Sequence, residues 1–295
     1  MALKNNKSLG QHWLKDRLVL DYIADCCIQQ AGDPRRAVEG WPENGVPPEE
    51  AFSEGKSSLG VNFRDRTPKH PRGTSQLAVS TVVEIGPGLG TLTSSLLKRF
   101  DKVIAVEYDK RLAENLPKSF PGKNLEVINA DFLKFELEKI KSPYVVAGNI
   151  PYYITSPIIT KLLETENPPE KIVLLIQKEV AERIAAKDGK ESVLSLSVQN
   201  RADVELGDVI KKEFFTPPPK VDSQVIILKP HSPKVDDKVI KLIHRGFSSP
   251  RKKLARNLGL SKDQIAKIFA ELNISEDARP ADLDLQTWQN LARII

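Results

Sequence analysis

From Thr81 onward the chain alternates short β-branched runs with amphipathic stretches: TVVEIG, TLTSSLLKRF, KVIAVEYD, KRLAENLPKSF, LEVINAD, a short helical piece, YVVAGN, SPIITKLLE, KIVLLIQ and KEVAERIAAK. Strands this apolar need cover on both faces, and a helix after each strand supplies it. The pattern predicts βαβ units around a mostly parallel sheet, an α/β fold. VELGDVIKKEFF and SQVIILKP flank the turn TPPPKVD and read as an antiparallel hairpin at the sheet edge. From about Pro233 the periodicity is helical, in DDKVIKLIHRGF, RKKLARNLG, KDQIAKIFAELN and DLQTWQNLARII. Residues 1–232 are therefore expected to form the main domain and 233–295 a small α-helical second domain. Ahead of the sheet, Leu18, Ile23, Cys26, Cys27 and Ala31 fall near a 3.6-residue period, which predicts a helix over 18–31.

Residues 33–79 differ, holding six prolines and five glycines, acid-rich up to Glu54 and basic from Lys56. A structureless connection this long inside a compact chain is usually functional or disordered, so it reads as a flexible insertion, with Trp41, Phe52 and Phe63 available to dock it. No apolar run approaches the roughly 20 residues that span a bilayer, and the N-terminus lacks a secretory signal's apolar stretch. A cytoplasmic protein without membrane contact is expected. Cys26 and Cys27 are adjacent, poorly placed to bridge each other, and have no nearby His partners, so no metal site is expected. The net charge of +5 hints at a polyanionic partner. Between Lys241 and Arg256 stand six basic residues and no acidic one, the kind of patch that neutralises phosphates, although a solvated helix face reads the same way.

The first chemical motif is Glu84-Ile85-Gly86-Pro87-Gly88-Leu89-Gly90, a glycine-rich turn between the first strand and its helix. Gly86 and Gly88 let a ligand approach the backbone at the carboxyl edge of the sheet. The G-x-G-x-G spacing departs from the dinucleotide fingerprint G-x-G-x-x-G, and Pro87 removes a backbone donor that a pyrophosphate would want. That disfavours a nicotinamide dehydrogenase and favours a nucleoside without a pyrophosphate. Glu107 closes the second strand 21 residues after Gly86, where a carboxylate can accept both ribose hydroxyls. Asp131 ends the third strand, positioned for an exocyclic amine. Each acid alone reads better as a solvated strand end; the three strand ends together suit S-adenosylmethionine.

The fourth strand runs into Asn149-Ile150-Pro151-Tyr152. An Asn or Asp followed by Pro and an aromatic is the signature of enzymes that methylate exocyclic amino groups of bases. The adenine amino nitrogen is a poor nucleophile because its lone pair is delocalised into the ring. Hydrogen bonds to the Asn149 side-chain oxygen and a neighbouring backbone carbonyl would hold the amine for attack on a methyl sulfonium, so positioning and electrostatics carry the step. Tyr152 would stack on the flipped base and Pro151 would stiffen the turn.

With these motifs assembled, the sequence resembles the KsgA type of ribosomal RNA adenine dimethyltransferase. The resemblance rests on KSLGQHWL at 7–14, VVEIGPGLGTLT, the Glu107 and Asp131 strand ends, NIPYYIT, FTPPPKVDS at 215–223 and RGFSSPRKKLARNL, and covers nearly the whole chain outside 33–79. It implies a Rossmann-like class I methyltransferase sheet, S-adenosylmethionine as methyl donor, and dimethylation of two adjacent adenosines near the 3′ end of small-subunit rRNA in an immature 30S particle, with a monomeric enzyme. It also implies that His12 and Leu14 close over the cofactor beside Gly86, Glu107, Asp131 and Asn149, that the contact at Ile150 is its backbone carbonyl, and that Phe215 sandwiches the base with Tyr152. Arg251, Lys252 and Lys253 become the expected phosphate contacts of the helical domain. Trp13 stands where Phe is usual and Ile150 where Leu is usual. Two other readings remain, a related class that dimethylates a large-subunit adenosine and a non-catalytic ribosome-assembly factor.

Overall fold

The computed structural model describes residues 12–28, 79–187 and 189–295. The motif residues 7–11, the last three residues of the expected first helix and all of the 33–79 insertion but Val79 lie outside the described residues. In chain order the elements are β1 (Trp13–Leu14), α1 (Arg17–Ile28), β2 (Thr81–Ile85), α2 (Thr91–Leu96), β3 (Lys102–Glu107), α3 (Lys110–Ser119), β4 (Leu125–Asn129), β5 (Tyr144–Asn149), α4 (Thr155–Glu164), β6 (Lys171–Gln177), α5 (Lys178–Ile184), α6 (Val193–Gln199), β7 (Ala202–Ile210), β8 (Phe215–Thr216), β9 (Ser223–Pro230), α7 (Asp237–Gly246), α8 (Leu254–Leu258), α9 (Lys262–Glu271) and α10 (Leu285–Ile294).

Seven strands form one sheet in the order β4-β3-β2-β5-β6-β9-β7. β2 to β6 are parallel, as the βαβ pattern predicts, and β9 runs antiparallel to both β6 and β7. The expected edge hairpin exists, with two differences. β9 is interior, so of the two hairpin strands only β7 is an edge, and the connection carries β8, which pairs antiparallel with β1 in a separate two-stranded sheet. Successive side chains on a strand point to opposite faces. Val82, Val103, Val145 and Val173 accordingly pack with α1 and α2, whereas Val83, Ile104, Val146 and Leu174 pack with α4 and α5 on the other side.

A buried ion pair ties the first of these layers together. Arg99 Nε and Nη2 donate to the two Asp25 carboxylate oxygens at 2.6 and 2.9 Å, and Nη1 donates to Asp21 at 3.1 Å and the Ser95 carbonyl at 3.0 Å. Burial alone would lower the arginine pKa; hydrogen bonding and charge from Asp25, with help from Asp21, outweigh it and raise it. The pair fastens α1 to the segment after α2.

α6 is the element that periodicity leaves unpredicted. Ser192 caps it through a reciprocal bond with Ser195, and it contributes to two cores: Val198 packs under the sheet, and Leu196 belongs to the cluster formed by α7–α10 around Trp288. Asn200, just past its end, accepts from the Val235 N–H at 2.8 Å through its side chain and from the Lys234 N–H at 2.9 Å through its carbonyl. In the helical part Gly246 sits against Trp288; a Cβ there would lie 2.2 Å from the indole, closer than any real contact. The expected helix at 251–259 is confined to α8, and Arg251, Lys252 and Lys253 precede it in an exposed turn.

Removing one partner of a buried pair leaves an uncompensated charge. Asp25→Ala leaves Arg99 with Asp21 as its carboxylate partner, so a loss near the low end for a broken buried pair, about 3 kcal/mol, is expected, read as a shifted urea midpoint.

Candidate active site

The carboxyl ends of β2, β3, β4 and β5 open onto one cavity of about 360 Å³, within the size range of small-molecule sites. Its wall includes Gly86, Gly88, Glu107, Asp131, Asn149 and Tyr152, with His12 and Leu14 closing it from the N-terminal side. Parallel register brings them together, because Ile85 lies opposite both Val106 and Gly148, and Glu107 opposite Asn129.

At the β2 end, Gly86 adopts φ +62°, and a Cβ added to it would meet nothing within 4 Å. The turn thus presents bare backbone to open space, as a closely approaching ligand requires. Glu107 braces this turn: Oε2 accepts from the Gly88 N–H at 3.0 Å and Oε1 from the Asp109 N–H at 2.8 Å. Burial raises its pKa, and the backbone donors oppose the shift. Each oxygen keeps a further lone pair for a ribose hydroxyl. Asp131 spends one oxygen on the Leu133 N–H at 2.9 Å, capping a short helical turn, and retains the other.

Asn149 donates through Nδ2 to the His12 carbonyl at 3.0 Å, and its side-chain oxygen has no partner among the described residues. His12 Nδ1 hydrogen-bonds the Pro217 carbonyl at 2.8 Å, and its ring lies 6.0 Å from the Tyr152 ring at an interplanar angle of 20°. The Tyr152 hydroxyl lies 2.8 Å from Ser223 Oγ, at the start of β9. Ile150 lines the cavity and also packs in the core, 2% exposed.

Phe215 does not join this wall. It is 2% exposed, stands opposite Leu14 in the β1–β8 pair, and packs in the core with α1. The expected sandwich around Tyr152 therefore has only its Tyr152 face in the cavity, and Phe215 supports the strand that carries Trp13 and Leu14. All three of the basic trio are exposed, and Lys253 also forms an ion pair with Asp277.

Two groups at the site were named in the sequence reading without being given a role. Glu84, 1% exposed, accepts from the Thr93 hydroxyl at 2.6 Å beneath the glycine turn. Its flanking valine, isoleucine and glycine residues disguise a polar position as part of a strand. Trp13 Nε1 is buried without a partner among the described residues, beside Gly88 and 3.5 Å from where a Cβ would stand. A buried donor left unpaired is costly, and a carboxylate bound at the turn would satisfy it. Together with the bare glycine backbone and the Glu107 and Asp131 acceptors, this donor set fits S-adenosylmethionine. Among the described residues no group of three or more His, Cys, Asp or Glu side chains is placed to hold a metal ion.

A parallel sheet closed by an interior antiparallel strand, with glycine turn, Glu107, Asp131 and Asn149 on one cavity, defines a class I S-adenosylmethionine-dependent methyltransferase. Residues 74–295 match the family described as ribosomal RNA adenine dimethylase, and the chain belongs to that family. It is 41% identical over 235 residues to the ribosomal RNA small subunit methyltransferase A of Nostoc sp. strain PCC 7120, covering 72% of this chain and 87% of the relative. The protein of the same name from Mycoplasmopsis synoviae strain 53 is 41% identical over 244 residues, 78% of this chain and 93% of the relative. Among solved structures, a dimethyladenosine transferase from Plasmodium falciparum superposes with a TM-score of 0.63 at 29% identity, covering 72% of this chain and 89% of that one. The 23S rRNA methyltransferase ErmE does so with 0.60 at 27% identity, covering 74% and 91%.

Burial pushes the Glu84 carboxyl up to about 8, with the Glu107 charge acting in the same direction and the Thr93 hydrogen bond against it. The folded chain then holds this proton more tightly than the unfolded one. The contribution to stability is present below the unfolded pKa of about 4.5 and is lost as pH rises through about 8. Glu84→Gln should flatten the fall in urea midpoint between pH 5 and pH 8, gaining relative to the parent at the alkaline end.

Proposed function

We propose that the chain dimethylates the exocyclic amino groups of two adjacent adenosines in the 3′-terminal helix of small-subunit rRNA. In this reading it acts as a monomer in the cytoplasm on an immature 30S particle. The observation that carries the chemistry is Asn149: its amide nitrogen is held by the His12 carbonyl, so its oxygen is left to accept from the adenine amine. A second acceptor, the Ile150 carbonyl, would draw the amine's two hydrogens apart and bring its lone pair forward. Tyr152, steadied by Ser223 and flanked by His12, offers a ring face to the flipped base. S-adenosylmethionine, held by the glycine turn, Glu107 and Asp131, supplies an electrophilic methyl group on a sulfonium. No strong base is required, because the methylated amine loses its proton readily once its charge has formed.

Residues 233–295 serve in this reading as the rRNA-binding part. Arg251 and Lys252 take phosphates, and Lys253 contributes less because it would first have to leave its exposed ion pair with Asp277. The small-subunit assignment draws support from the names of the two bacterial relatives. Primer extension on rRNA from a deletion strain tests it: loss of the stop in the small-subunit 3′-terminal helix is expected, and loss only in the large subunit would overturn it.

Asn149→Ala is expected to lose most transfer of labelled methyl groups to unmethylated small subunits while still binding them. Replacing Arg251 and Lys252 together by Ala should reduce the slope of log affinity against log salt by about 1.4–1.8, since each phosphate contact contributes roughly 0.7–0.9. Lys253→Ala alone should change it less than either of the other single substitutions.

A further inference from the structure

Of the large apolar side chains that stand exposed, Tyr108 (64%), Leu133 (36%) and Tyr153 (65%) all line the one cavity described above. Tyr108 and Leu133 follow Glu107 and Asp131, the acids assigned to the cofactor's ribose and adenine. Tyr153 follows Tyr152 on the substrate side, in the short 3₁₀ turn Tyr152–Ile154. Such a turn rotates successive side chains by about 120°. Tyr152 and Tyr153 therefore diverge: the first has its hydroxyl tied to Ser223, the second has neither a hydrogen bond nor a ring contact among the described residues. An aromatic ring left in water at the mouth of a base-binding cavity is an unfilled stacking surface.

We propose that Tyr153 is the platform on which the nucleotide next to the target adenosine stacks when that adenosine swings into the cavity. This deepens the rRNA reading and rests on it. Flipping the target removes a stacking partner from its neighbour, and a ring at the rim replaces it. Since the two targets are adjacent, the platform would hold each while the other is methylated, making Tyr153 a positioning residue for both transfers.

The test is methyl transfer by the full chain to unmethylated small subunits, with S-adenosylhomocysteine affinity measured by calorimetry. Tyr153→Ala is expected to raise KM for the particle about 5-fold or more, the low end of what base–aromatic stacking contributes. S-adenosylhomocysteine affinity should not change. Tyr153→Phe and Tyr153→Trp should retain parental KM, whereas Tyr153→Leu, apolar but without a ring, should behave like the alanine variant. An unchanged particle KM in Tyr153→Ala, or parental behaviour in Tyr153→Leu, would overturn the platform. A loss of S-adenosylhomocysteine affinity would also overturn it by assigning the ring to the cofactor. If the parental chain itself transfers no methyl group to small subunits, the rRNA reading fails, and the platform with it.

Discussion

Everything at the site depends on four parallel strands ending at the same level. Because β2 pairs in register with β3 on one side and β5 on the other, and β4 follows β3, residues far apart in the chain become neighbours along one sheet edge. The glycine turn, two carboxylates and an amide need no further folding to converge. Hydrogen bonds that run past the strand ends, from the Gly86 N–H to the Val106 carbonyl at 2.9 Å and from the Ala130 N–H to the Glu107 carbonyl at 3.1 Å, carry that alignment into the loops.

The N-terminal segment is held by a different means. β1 reaches the site by pairing with β8, and the His12 backbone and ring then join Asn149 to Pro217. The segment before α1 thus holds the Asn149 amide directly, while the loop before β9 holds the His12 ring that lies beside Tyr152. Phe215, buried opposite Leu14, is the apolar anchor of that arrangement.

Much of this was legible in the sequence, because a parallel sheet makes function a matter of strand ends. The glycine turn, Glu107, Asp131 and Asn149 each sit at such an end and could be placed by counting strands. What could not be read depends on packing between distant segments. In SVLSLSV the apolar residues alternate with serines, so the stretch lacks a helical stripe, and α6 forms because its faces are wanted by two cores at once. FF at 214–215 does not reveal which ring turns inward. Lys253 looks like its neighbours until Asp277 is brought against it by the fold.

α6 has a consequence for target choice. Its Leu196 is packed in the helical core, its Val198 under the catalytic sheet, and Asn200 fixes the strand-to-helix crossing at both carbonyl and amide. A joint built this way couples the helical cluster that carries the exposed Arg251–Lys252 turn to the sheet that carries Asn149. With that turn gripping rRNA as proposed, the molecule would act as a caliper, selecting a nucleotide by its span from the bound backbone, and a substitution that loosens α6 would blur the choice of base without touching the chemistry.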